Sequence, residues 1–153
     1  MNQIPPADLF PDLSQRLLRC LLRLSRQLRT AKAESTLPSV PLQALGILYR
    51  NRRATATELA AELGIKKQSL TLLLAALHER GYTERKKDAG DARKVHLALT
   101  PAGREVFLSE LRGRRARLAA LIADRLTGNE AEFLLAVLPV LEKLAGTTME
   151  FYA

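Results

Sequence analysis

The side chains with chemistry to offer are concentrated between Lys66 and Lys94. Lys66, Lys67, Gln68, Ser69 and Thr71 open one segment, with Leu72 beside them. Arg85, Lys86, Lys87, Arg93 and Lys94 crowd a second, with Asp91 among them. Cations at this density suit a polyanion, because each phosphate they neutralise releases condensed counterions. Gln, Ser and Thr carry donors and acceptors that match the edges of bases. The competing reading is a solvated basic face, with Gln68 and Ser69 serving as ordinary helix-start residues.

Other chemistries find little support. The two histidines, His78 and His96, and the one cysteine, Cys20, do not form a spacing that would hold a metal. His78 reads as a surface residue and His96 as part of a strand's polar face. No nucleophile elbow, phosphate-cradling glycine loop or paired-carboxylate motif is present in the sequence. We therefore expect neither catalysis nor a cofactor.

Bulk composition narrows the class further. Formal net charge is +8 over 153 residues, and its distribution is uneven. Residues 50–100 hold eleven basic and six acidic side chains, whereas residues 101–153 hold seven of each. The positive excess thus concentrates on the central segment, which suggests a polyanion such as nucleic acid or an anionic membrane; charge alone does not choose between them, and a solvated basic face is the plainer alternative. Hydrophobic residues make up 47% of the chain, with aromatics at only 5%, so a packed core must be built from Leu, Ala, Val and Ile. A single cysteine permits no intrachain disulfide. The N-terminal MNQIPPADLF lacks signal-peptide features, and no apolar run approaches the roughly 20 residues that span a bilayer. A soluble, cytoplasmic protein with no membrane partner is expected.

The elements that must position these side chains follow from periodicity. Residues 1–11, with Pro5, Pro6 and Pro11, read as an extended arm. From Asp12 to about Ala33, Leu13, Leu17, Leu21, Leu24 and Leu28 recur every three or four residues opposite Arg16, Arg19, Arg23 and Arg26, which predicts an amphipathic helix. Ser35 to Pro41 reads as a break, Leu42 to Arg50 as a short apolar helix, and Ala54 to Ala56 as a connector with one strand-like step. Thr57 is the expected N-cap of the next helix, which Gly64 ends in a left-handed turn. The second of the paired helices runs from about Lys67 to Arg80. Leu70, Leu73, Leu74 and Leu77 form its buried stripe, Lys67, Gln68, Thr71, Leu72 and Ala75 lie outward, and Gly81 stops it. Tyr82 to Lys87 and Lys94 to Leu99 flank DAGDAR as a hairpin, Val95, Leu97 and Leu99 alternating with polar or small residues. Thr100-Pro101 starts a helix to about Arg125, with a bend point at Gly113. Thr127 to Glu130 is a capping box for a very apolar last helix that Pro139 should kink. Helix, turn, helix, hairpin is the layout of a winged helix-turn-helix. The fold class expected is mainly α with a small β-hairpin wing.

With these elements in place, the sequence resembles the MarR family of bacterial winged-helix transcription regulators. The resemblance rests on TELAAELGI, on QSLTLLLAALHERGYTERKKD and above all on DARKVHLALTPAG, where Asp91, Arg93, Leu97, Leu99, Thr100 and Gly103 stand as the family has them. By motif it covers about residues 40–110; the flanking helices fit by position. It implies a homodimer in which N- and C-terminal helices interdigitate across a twofold axis. The expected division is residues 1–35 as arm and dimerisation helix, 36–100 as DNA-binding lobe and 101–153 as linking and dimerisation helices. It also implies a ligand-responsive repressor on a pseudo-palindromic operator in double-stranded DNA. A small aromatic effector would occupy a cleft between the dimer helices and the lobe.

On this reading the helix at 67–80 enters the major groove, Lys66 and Lys67 hold phosphates, and Gln68, Ser69 and Thr71 meet base edges. The family often has Arg where this chain has Leu72, so readout here leans toward an apolar contact. The resemblance places Arg93 at the wing tip in a minor groove, with Arg85, Lys87 and Lys94 along the wing and Asp91 orienting the Arg93 guanidinium. One branch of the family senses hydroperoxides through a first-helix cysteine that is paired with tyrosines. Cys20 has Arg19 and Arg23 as neighbours, but the next helix offers only Tyr49, so a buried structural thiol is the favoured reading. The second functional class is a basic amphipathic module that binds a membrane surface or a protein partner through the arginine stripe of residues 16–26. Such a module has no use for a basic hairpin.

Overall fold

The computed structural model describes residues 9–29, 37–87 and 94–146. The chain divides into two units, residues 1–35 and 36–153, each treated by itself. The first contains α1 (Leu9–Arg29). The second contains, in chain order, α2 (Ser39–Asn51), β1 (Ala54–Thr55), α3 (Ala56–Leu63), α4 (Lys67–Glu79), β2 (Thr83–Lys87), β3 (Val95–Leu99), α5 (Pro101–Arg125) and α6 (Gly128–Ala145). The architecture is mainly helical with one small antiparallel sheet in the order β1-β3-β2, a winged helix-turn-helix as the sequence led us to expect.

Two expected boundaries move, both for the same reason. α1 begins at Leu9, not after the prolines, and holds Pro11 in its first turn, where Ser14 Oγ donates to the Pro11 carbonyl at 2.9 Å. α2 begins at Ser39, with Pro41 likewise inside the first turn. The first four N–H groups of a helix have no intrahelical acceptor, so a proline there forfeits nothing, and its fixed φ suits the helix. The expected continuation of α1 toward Ala33 lies outside the described residues. Leu13, Leu21 and Leu24 of α1 are exposed, and Cys20 is exposed, contrary to the buried thiol expected.

The core of the second unit is built from every element that frames the α3–α4 pair. Leu45 and Leu48 of α2, Leu59 of α3, Leu77 of α4 and Phe107 of α5 are almost completely buried, with Leu70, Leu74 and Leu97 close behind. Tyr49 tilts against Phe107 with 5.2 Å between ring centroids. Burial of side chains of this size contributes about 1.5–3 kcal/mol each. β3 departs from simple alternation: Leu97 and Ala98 are both buried, and Val95 is exposed. A central strand, paired with β1 on one side and β2 on the other, is enclosed more fully than an edge strand would be.

α3 is capped by Thr55, not by Thr57. The Thr55 hydroxyl accepts from the Glu58 N–H at 3.3 Å, while Thr55 N–H and Oγ donate to the Glu58 carboxylate at 2.7 and 2.9 Å. The S/T-x-x-E pattern at 55–58 is the signal for this box; Thr57 has Ala60 at the corresponding position. Thr127 and Glu130 form the same box at α6, as expected. Gly64, at φ 64°, ends α3, and Ile65 N–H returns to the Ala60 carbonyl. Gly81, at φ 72°, ends α4 in a Schellman arrangement: its N–H donates to His78 O, and Tyr82 N–H donates to Leu77 O. α5 and α6 are continuous through Gly113 and Pro139.

The end of α4, the start of the hairpin and the start of α5 meet at Thr100. Its Oγ donates to the Gly81 carbonyl and accepts from the Gly103 N–H at 3.0 Å, and its own N–H donates to the Tyr82 carbonyl at 3.1 Å. Gly103 is fully enclosed in this junction. A Cβ at that position would lie 1.9 Å from the Tyr82 carbonyl oxygen, a backbone atom that cannot step aside alone. His78 Nδ1 lies 2.9 Å from the Thr83 carbonyl oxygen, so Nδ1 carries the proton that makes the bond.

Two outcomes follow. Gly103→Ala should destabilise the fold by about 2–4 kcal/mol through overpacking against Tyr82, measured by chemical denaturation at fixed protein concentration. Loss of less than about 0.5 kcal/mol would show that the junction yields. The backbone and hydroxyl donors of Thr55 and Thr127 hold the Glu58 and Glu130 carboxyls below their ordinary value of 4.5. Because the folded state favours the anions, their contribution is complete above that value and is lost as pH falls through the lowered one. The double variant Glu58→Gln and Glu130→Gln should therefore flatten the acid limb of Tm against pH and leave its neutral-to-basic part unchanged in slope.

Candidate nucleic-acid interface

α2 has no side-chain cap, whereas α3, α5 and α6 each begin at a threonine whose hydroxyl accepts an orphan N–H of the first turn. α4 does not. Its N-cap is Lys66, in extended backbone geometry, with no side-chain capping bond. The N–H groups of Lys67, Gln68 and Ser69 are left pointing out of the helix end beside two ammonium groups. Orphan donors, the positive end of the helix dipole and two lysines together make a strong anion site. A carboxylate or hydroxyl cap would have consumed these donors.

The outward side of α4 is as the periodicity predicts. Lys67, Gln68, Ser69, Thr71, Leu72 and Ala75 are all exposed, and Leu70, Leu74 and Leu77 are buried beneath them. Leu73 is only half-buried against the core. Thr71 differs from expectation in one respect: its Oγ donates to the Lys67 carbonyl at 3.0 Å, so it offers outward a methyl and an acceptor, not a donor. Leu72 is 75% exposed, the highest value among the exposed large hydrophobic side chains of the described residues.

The hairpin stands beside this helix, joined to it by the Gly81 turn. Strand alternation places Arg85 and Lys87 on one face of β2 and Glu84 and Lys86 on the other. Lys86 Nζ is paired with Glu84 at 2.8 Å, whereas Arg85 and Lys87 have no carboxylate partner among the described residues. Lys94 is exposed just before β3. Asp91 and Arg93, the expected orienting carboxylate and wing-tip cation, lie outside the described residues.

Some features were not foreseen. A cleft of about 820 Å³ at the base of the hairpin is lined by Tyr49, Arg50, Arg52, Glu84, Lys86 and Arg104, among others. Arg104 lies over the Tyr49 ring at 5.5 Å, and Arg50 is ion-paired with Glu62 of α3. Arg52 adopts φ 63°, unusual for a residue with a side chain, where α2 turns sharply into β1. The basic residues that end α2 were visible in the sequence; their convergence with the start of α5 needed the fold. No group of histidine, cysteine and carboxylate side chains among the described residues could hold a metal ion.

Comparison with known proteins agrees with this geometry. The sequence pattern of the MarR family matches residues 35–94. An uncharacterized HTH-type transcriptional regulator of Mycobacterium bovis is 31% identical over 117 residues, which cover 76% of this chain and 79% of the relative. Among solved structures, a transcriptional regulator protein of Pseudomonas aeruginosa superposes with a TM-score of 0.77 at 25% identity, covering 94% of this chain and 99% of that one. The repressor CouR, solved bound to a 23-mer DNA duplex, superposes with a TM-score of 0.67 at 25% identity over 92% of this chain and 99% of its own.

Proposed function

The chain belongs to the MarR family, and from that premise we propose that it is a sequence-specific transcriptional regulator that binds double-stranded DNA as a homodimer and represses. The observation that carries this reading is the open N-terminus of α4, set between two lysines and beside a basic strand. α4 lies in the major groove with Gln68, Ser69, Thr71 and Leu72 toward base edges. Lys66, Lys67, Arg85, Lys87 and Lys94 meet phosphates. Arg93 reaches the minor groove from the wing tip, and Asp91 orients it.

Exposed apolar surface supports the dimer. α6 has no buried residue, yet Phe133, Leu135, Val140 and Leu144 are each more than 60% exposed. A run of apolar side chains on a soluble monomer would be an aggregation liability, whereas a second copy buries it at little further cost. Two α4 helices about 34 Å apart then define a pseudo-palindromic operator. A small aromatic effector, acting by a shift in the spacing of the two lobes, fits the family's habit. The basic amphipathic module is disfavoured, because a membrane-surface role leaves the α4 face and hairpin unexplained.

The test is duplex binding as a function of salt, with the association state measured in parallel by sedimentation. A dimer whose duplex affinity falls steeply with salt is expected. Lys66→Ala with Lys67→Ala should lower the slope of log K against log salt by about one per lysine in each subunit, with little change in sequence preference. Arg93→Ala should weaken binding by about 1–3 kcal/mol at fixed salt. A stable monomer, or duplex affinity indifferent to salt, would refute the reading.

A further inference from the structure

The outward face of α4 divides into two chemistries along its length. At 100° per residue, Gln68, Leu72, Ala75 and Glu79 form the line opposite the buried Leu70, Leu74 and Leu77 stripe. Only the first of the four can bond an arbitrary base edge in both directions. The next two are apolar and exposed, and Ala76 extends the same strip. An exposed leucine is ordinary on a protein surface, but its setting here is not. Leu72 stands one turn beyond Gln68 and next to the Thr71 methyl, between the lysine-flanked helix start and the basic hairpin. It thus occupies the part of the helix farthest from the core.

We propose that Leu72 and Ala75 read the 5-methyl group of thymine in the major groove. This rests on the regulator reading above and names its specificity determinant. The chemistry is selective because the thymine methyl is the one apolar group that a base pair offers in that groove. A leucine cannot distinguish guanine from adenine by hydrogen bonding, and over a cytosine amine it would bury a donor without a partner. The charge around the strip fits a duplex as its occupant: Lys66 and Lys67 at one end favour a polyanion. The operator half-site is then expected to carry a thymine, or adjacent thymines, at the base steps that α4 crosses after its first turn. Gln68 sets the base pair before it.

The experiment starts from a randomised duplex pool from which the whole chain selects its own sites. In the best site, each thymine is replaced singly by deoxyuridine, which removes the methyl and leaves every hydrogen-bonding group. One position in each half-site should lose about fourfold in affinity, the worth of one buried methyl. With Leu72→Ala, a substitution at a solvent-exposed position that leaves the core intact, the uridine penalty should shrink, because most of the apolar surface that meets the methyl is gone while Ala75 remains. Equal affinity of the unaltered chain for all uridine duplexes would overturn the proposal while leaving DNA binding standing. So would a uridine penalty that persists undiminished in Leu72→Ala. Failure to retain any duplex from the pool would overturn the regulator reading itself, and the strip's role with it.

Discussion

The Thr100 junction is the constraint on which the rest of the lobe depends. One hydroxyl both caps α5 and bonds the carbonyl of the glycine that ends α4. One backbone carbonyl, that of Tyr82, takes the Thr100 N–H and presses so closely on Gly103 that no side chain fits there. The helix that offers its open end to solvent and the strand that carries the basic hairpin are therefore fixed to a common point. His78 adds a second tie from the last turn of α4 to β2. DNA contacts made by a helix and a hairpin act together only if their spacing is set before binding, since ordering them afterwards would cost the entropy that binding must overcome. Thr100 and Gly103 are motif residues for this mechanical reason.

Electrostatics and capping work in the same direction. Threonines satisfy the starts of α3, α5 and α6, whereas α2 begins at Pro38 with no side-chain cap; the two glutamates of the capping boxes place negative charge at the positive ends of α3 and α6. α4 likewise has no side-chain cap, but its cap position is a lysine. That arrangement costs local stability, which the surrounding leucine core sustains through Leu70, Leu74 and Leu77.

Much of this was legible in the sequence, for identifiable reasons. Leucine spacing at 70–77 gave the buried side of α4 and hence its outward side. Gly64, Gly81 and the Thr100-Pro101 pair marked boundaries because each supplies a backbone state that few other residues adopt. Errors arose where two signals competed. The prolines at 11 and 41 read as breaks because their place within a first turn depends on a boundary that sequence alone leaves loose. Thr57 suits a cap position by residue type, and only the Glu58 partner three residues on singles out Thr55. The Arg52 turn and the Arg104–Tyr49 contact belong to the cleft at the hairpin base, where segments about fifty residues apart converge, and no local pattern reports that. Engagement of the Thr71 hydroxyl by its own helix was also hidden, because the same residue type can face outward or back-bond.

The central claim is that a twofold pair of chains lays the α4 faces into successive major grooves. Interference by diethyl pyrocarbonate, which modifies purine N7 in that groove at adenine as well as guanine, tests it most directly on a selected duplex. Two clusters of interference about one helical turn apart, related by the site's own symmetry, are the expected result. A single cluster, or binding that ignores purine N7 modification altogether, would contradict it.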